Sequence, residues 1–119
     1  MHPKIENTEL LDTIRLLKTK ARANKATIWA TVAEQLSRPR KNRAVLNLTH
    51  ITRSTEQDAV VVVPGKVLGA GIIKHPITIG AFEFSRKAEE KIKRAGGKCV
   101  TIKEFISLYP NGSNVKIMR

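Results

Sequence analysis

The six residues from Arg38 to Arg43 include four cations, Arg38, Arg40, Lys41 and Arg43, with Pro39 and Asn42 between them. Charges spaced this closely repel one another. Within fifteen residues on either side only Glu34, Glu56 and Asp58 could offset them. Arginine dominates the cluster, and its planar guanidinium carries five donors in a fork that matches phosphate oxygens better than solubility alone requires. Pro39 stiffens the stretch, so less conformational entropy is lost when it docks. The segment suits neither a regular helix nor a buried strand. It suits contact with the phosphates of a nucleic acid, and Arg38, Arg40, Lys41, Asn42 and Arg43 are candidate RNA-binding residues.

A second stretch, PGKVLGAGIIKHP at residues 64–76, combines three glycines with two prolines and reads as a loop that brings backbone close to something. It is not a nucleotide-binding loop. A P-loop requires Lys-Ser/Thr straight after its last glycine, whereas Gly71 is followed by Ile72, and Lys74 stands where the dinucleotide fingerprint needs a third glycine. Lys66, Lys74 and His75 are candidate donors toward RNA from this loop. A third stretch, GAFEF at residues 80–84, echoes part of the RNA-recognition-motif signature. Phe82 and Phe84 alternate about Glu83, however, which puts both rings on one strand face and favours a core role.

No catalytic constellation accompanies these segments. His2, His50 and His75 are scattered, no pair of carboxylates stands out, and Cys99 lies between Lys98 and Val100 in a strand-like run. A single cysteine excludes an internal disulfide and argues against structural zinc. The expectation is a protein that is not an enzyme, without cofactor, metal or small-molecule substrate.

The bulk charge points the same way. There are 22 Lys and Arg against 10 Asp and Glu in 119 residues, a net charge of +12 that implies a polyanionic partner. The charge is uneven: residues 13–53 hold ten bases and one acid, Glu34, so three-quarters of the net charge falls in one third of the chain. An anionic membrane is the weaker candidate, since the longest apolar run, Ala59 to Val63, is far short of the ~20 residues a span needs. The start of the chain, MHPKIENTELL, lacks a signal-peptide core. The expectation is a soluble, cytoplasmic protein.

The elements that must position these residues follow from periodicity. Asn7 or Thr8 is placed to cap a helix running to about Ala23, with Leu10, Ile14, Leu17 and Ala21 on one stripe. Arg15, Lys18, Lys20, Arg22 and Lys25 lie off that stripe and are further candidates for RNA contact, concentrated where the helix dipole favours cations. A second helix is expected over 27–37, ended by Pro39. Strands are expected at 44–51, 59–63, 77–84, 99–102 and 115–118. Helices are expected after Ser85, ended by Gly96–Gly97, and over 103–108 with Thr101 as cap. This pattern describes one α/β domain spanning 1–119, with a basic helical part to about residue 43 and a mixed body over about 44–119.

The segments TIWATVAEQLSRPRKNRAVLNLTHI, DAVVVVPGKVLGAG and ITIGAFEFSRKAEEKIKRAGGKCVTI together resemble the L eighteen-e family of archaeal and eukaryotic large-subunit ribosomal proteins, itself related to the C-terminal domain of bacterial ribosomal protein L fifteen. The resemblance covers essentially the whole chain. It implies an irregular ββα superhelical α/β domain without cofactor, bound to large-subunit ribosomal RNA beside neighbouring ribosomal proteins. Its role would be that of a structural constituent, reading phosphate, 2′-hydroxyl and shape. The motifs carried over are Arg38–Arg43 and Pro64–Gly71. The alternative on composition alone is a free-standing nucleic-acid binder, either an RNA chaperone or a DNA-compacting factor.

Overall fold

The computed structural model describes residues 4–119, with side chains from residue 8 onward. The chain runs α1 (Lys4–Asn24), α2 (Thr27–Leu36), β1 (Ala44–Asn47), α3 (Leu48–Arg53), β2 (Ala59–Leu68), β3 (Ile77–Phe84), α4 (Arg86–Arg94), β4 (Lys98–Thr101), α5 (Ile102–Leu108) and β5 (Val115–Ile117), with one 3-10 turn at Arg40–Asn42. Every strand pairing is parallel, in the order β1-β2-β3-β4, and β5 also pairs with β2. Parallel strands are covered on both faces, which explains why β2 carries the unbroken apolar run Val60–Val63 instead of an alternating one.

The two faces have separate cores. On one, Leu48 and Ile51 of α3 and Ala88 and Ile92 of α4 pack on Val61, Val63, Ile77, Ile79 and Ala81. On the other, Ile14 and Leu17 of α1, Trp29 and Val32 of α2, and Ile102, Phe105 and Ile106 of α5 pack on Val62 and Val100. Trp29 is fully buried, meets Phe105 edge-on at 5.9 Å, and donates its indole N–H to the Pro110 carbonyl oxygen at 2.9 Å. A fold of three layers, α/β/α, results.

Several sequence expectations hold. The strand at 77–84 has the expected bounds. Ser85 accepts from the Ala88 N–H and Thr101 from the Glu104 N–H, each capping its helix. Others are corrected. The first helix begins at Lys4, so Asn7 and Thr8 lie within it instead of capping it. The expected strand 44–51 ends at Asn47, because Leu48 and Ile51, at helical spacing, both turn into the core as α3. The expected strand 59–63 continues through Pro64 and Gly65 to Leu68, because the irregularity between Val63 and Lys66 is a bulge that accommodates proline within a strand.

Phe82 and Phe84 pack in different cores. Ahead of the bulge Val63 pairs with Ala81; beyond it Val67 pairs with Phe84, and both turn to the α3–α4 core. Phe82 packs in the opposite core, so the two rings do not share a face.

Gly80 faces Phe105 so closely that a Cβ there would lie 2.5 Å from the ring Cδ1. Gly80→Ala should therefore destabilise the fold by ~1–3 kcal/mol in urea denaturation, through overpacking of a full core. An unstrained Gly→Ala change elsewhere stabilises by ~0.4–1 kcal/mol. A midpoint that rises would show that the contact is not tight.

Candidate nucleic-acid interface

The Arg38–Arg43 segment is shaped by what precedes and follows it. Ser37 ends α2 by donating its hydroxyl to the Ala33 carbonyl oxygen at 2.8 Å, and Pro39 prevents helical continuation. Arg40–Asn42 then form the 3-10 turn, closed by the Arg43 N–H on the Arg40 carbonyl. The Arg43 side chain folds back, donating Nε–H to the Arg38 carbonyl oxygen at 3.1 Å. Arg38 pairs with Glu34 at 3.2 Å across one helical turn. Arg38, Arg40, Lys41 and Asn42 are exposed and Arg43 is half-buried.

The β1–β2 register carries this segment to the second sequence motif. Ala44 pairs with Gly65 and Val45 with Lys66, so the cations ahead of β1 arrive beside Lys66 of β2. A Cβ on Gly65 would collide with the Ala44 carbonyl oxygen, so only glycine allows this approach. Arg40, Arg43 and Lys66 line one concavity of about 180 Å³, completed by Val45, Phe82 and Glu83. Two stretches more than twenty residues apart in sequence thus form one basic rim.

The other candidates lie elsewhere. Arg15, Lys18 and Arg22 are exposed and share one face of α1 by their spacing, while Lys20 projects from another. Arg15 pairs with Asp12 at 3.7 Å. Lys25, with a positive φ of 52°, makes the turn from α1 into α2. The ten residues of α2 separate that turn from Arg38, roughly 15 Å along the helix axis. Lys74 is exposed, but its backbone N–H is tied to the Thr52 hydroxyl at 3.1 Å. His75 points inward: its Nε2 lies 3.3 Å from the Thr52 carbonyl oxygen and its Nδ1 is buried. The candidates fall into three places, of which only the concavity unites two motifs.

The glycines of 69–71 make their close approach to the chain itself. A Cβ at Gly69 would crowd Lys87 and Ala88 of α4, and one at Gly71 would collide with Thr49 of α3. Lys91 of α4 donates to the Gly69 and Gly71 carbonyl oxygens at 2.7 and 2.8 Å, spending its charge on the loop. Ile72 at the tip is 70% exposed. Sequence reasoning missed this clamp, and it missed Val45 and Glu83 in the concavity, since an acid inside an apolar strand gives no signal of what lies across the sheet.

No group of three or more His, Cys, Asp or Glu residues suited to a metal occurs among the described residues, nor a helix long and apolar enough to cross a membrane. Burial pushes the Cys99 thiol up from 9.0 to about 11; Glu89 adds to the rise and Lys93 opposes it. A thiol held protonated in this way is a poor nucleophile at neutral pH.

A three-layer parallel α/β domain with a basic rim drawn from two sequence motifs is the class of protein that this fold and site define. The chain belongs to the family described as "Ribosomal protein 60S L18 and 50S L18e", whose model matches residues 1–119. It is 42% identical to the large ribosomal subunit protein eL18 of Methanothermobacter thermautotrophicus over 112 residues, 94% of this chain and 93% of the relative. Identity to the proteins of the same name is 41% in Archaeoglobus fulgidus, covering 94% and 96% of the two chains, and 43% in Methanopyrus kandleri, covering 94% and 92%.

Two outcomes follow from this geometry. Lys91→Met should cost about 1.5–3 kcal/mol, because two charge-assisted hydrogen bonds to the 69–71 loop are lost, and should speed amide exchange there before the rest of the fold. Unchanged exchange would mean that the glycine contacts hold the loop alone. Cys99 should react slowly with thiol reagents at pH 8 and accelerate toward pH 11. Because its folded pKa is raised, the stability it contributes is complete below pH 9 and lost as pH rises through about 11.

Proposed function

We propose that this chain is a structural constituent of the large ribosomal subunit, binding folded ribosomal RNA through phosphate and sugar contacts beside neighbouring ribosomal proteins in the cytoplasm. The observation that carries the reading is the convergence of Arg40, Arg43 and Lys66 on one rim, within a chain whose family bears a ribosomal name. Arg38, Lys41 and Asn42 extend that rim. Arg15, Lys18, Lys20, Arg22 and Lys25 supply a second contact along the helical hairpin, and Lys74 a third beside α3, whereas His75, turned inward, supplies none.

Separated basic regions suit a folded RNA better than a straight duplex. Phosphates of a folded RNA approach from several directions, and a fold with cations in three separate places can meet them together. Stiff, non-repeating backbone at Pro39–Asn42 matches irregular phosphate geometry without needing to reorganise. Contacts of this kind position the protein and read shape more than base sequence.

Ultraviolet crosslinking in native cells, followed by sequencing of the attached RNA, tests the assignment. Reads concentrated at a few sites of the large ribosomal RNA support it. Reads scattered over many transcripts, or recovery mainly with DNA, would replace it with a free-standing binder. In titrations of the purified chain, changing Arg38, Arg40, Lys41 and Arg43 together to Gln should leave the fold intact. It should weaken RNA binding and make the slope of log K against log salt shallower by about 1–3 units. A slope that stays the same would remove this segment from the interface.

A further inference from the structure

Resting on the RNA-binding reading, we propose that the concavity between Arg43, Lys66 and Glu83 receives one unstacked guanine base of the bound RNA. A surface built only for phosphate gains nothing from a carboxylate, which repels phosphate oxygens. Yet Glu83 stands exposed in the middle of the basic rim. Lys66 is its register partner on the neighbouring strand, and no ion pair joins the two among the described residues. Among the described residues no ion pair or side-chain hydrogen bond takes up the Glu83 carboxylate, although Lys66 lies across from it.

An ionised carboxylate only accepts hydrogen bonds. On RNA the donors are the 2′-hydroxyl and the N–H groups of the bases. Guanine alone offers two parallel donors, N1–H and N2–H, on its Watson–Crick edge, matching the two oxygens of one carboxylate. Adenine and cytosine set a ring acceptor beside their amino group, and uracil flanks its single N–H with carbonyls. The guanine edge is open only in an unpaired base, the form in which proteins commonly read RNA sequence.

The walls suit a base. Phe82 is half-buried there, and Val45 is 56% exposed, an apolar side chain left uncovered among charges. At about 180 Å³ the space is smaller than the ~300–1,000 Å³ of sites for drug-sized ligands and fits a single ring system. The cations then have a separate task, holding the phosphates on either side while the base enters.

Fluorescence anisotropy of the full chain with short oligouridine strands carrying one central G, inosine or A tests the proposal. The G strand should bind at least about fivefold tighter than the A strand, the discrimination a bidentate pair provides. Inosine, which lacks the N2 amine, should lose much of the gain. Glu83→Gln, a change at an exposed position, should bring G down to the level of A. Equal binding of G and A by the unaltered chain would overturn the proposal, as would a Glu83→Gln chain that gains affinity for all strands by one factor. Competition by an arginine-rich peptide whose binding requires Glu83, without G preference, would assign the concavity to a protein neighbour instead. Absence of binding to any RNA at any salt would overturn the proposed function as well, whereas salt-dependent binding without base preference leaves that function standing.

Discussion

Strand β2 must be dry on both faces and hydrogen-bonded on both edges, and the rest of the molecule is arranged to make that so. Residues 61–65 are buried without interruption. One edge is taken wholly by β3; the other is divided, with β5 beside Val60–Val62 and β1 beside Gly65–Leu68. Helices α3 and α4 close one face, and α1, α2 and α5 the other. A parallel strand in this position cannot leave a peptide group unpaired or a valine wet without losing several contributions at once.

The bulge at Pro64–Gly65 links that core to the surface chemistry. Proline lacks an N–H and glycine lacks a side chain, so this is where the strand can kink and where another backbone can come close. Ala44 takes that opening, and the cations before it are brought to Lys66. The polar rim thus depends on a packing feature: the cations that line it are brought together by a glycine that has no side chain of its own. Not every cation is available to the ligand. Lys91 serves the 69–71 carbonyls, and Lys116 donates to the Ser54 carbonyl oxygen at 2.9 Å, so the formal charge overstates the contacts that RNA can use.

Much of this was legible in the residues, for reasons that differ by element. Helix α4 was plain because Ser85 caps it and Gly96–Gly97 end it. Strand β3 was plain because β-branched residues run between two turn signals. The segment 44–51 misled because Leu46 and Leu48 alternate as a strand does, while Leu48 and Ile51 are spaced as a helix; only the position of the core decided between them. Pro64 misled in the opposite sense, marking a stop where the chain makes only a bulge. Of the candidate interface, Arg38–Arg43 stands out by charge density. The partnership with Lys66 does not, since it exists only through the Ala44–Gly65 register, and Glu83 is hidden by its apolar neighbours.

The all-parallel sheet has a consequence for how the chain reaches this state. Each strand pair is joined by a crossover, and β5, at 115–117, returns to lie against β2 at 60–62, so the central strand is completed by residues more than fifty positions away. Topologies of this kind fold slowly, with apolar strands such as Val60–Val63 uncovered in the interval. During that interval the net charge of +12 acts between molecules instead of toward a ligand, holding incomplete chains apart. The cations that later grip a polyanion first serve as the chain's protection against its own copies.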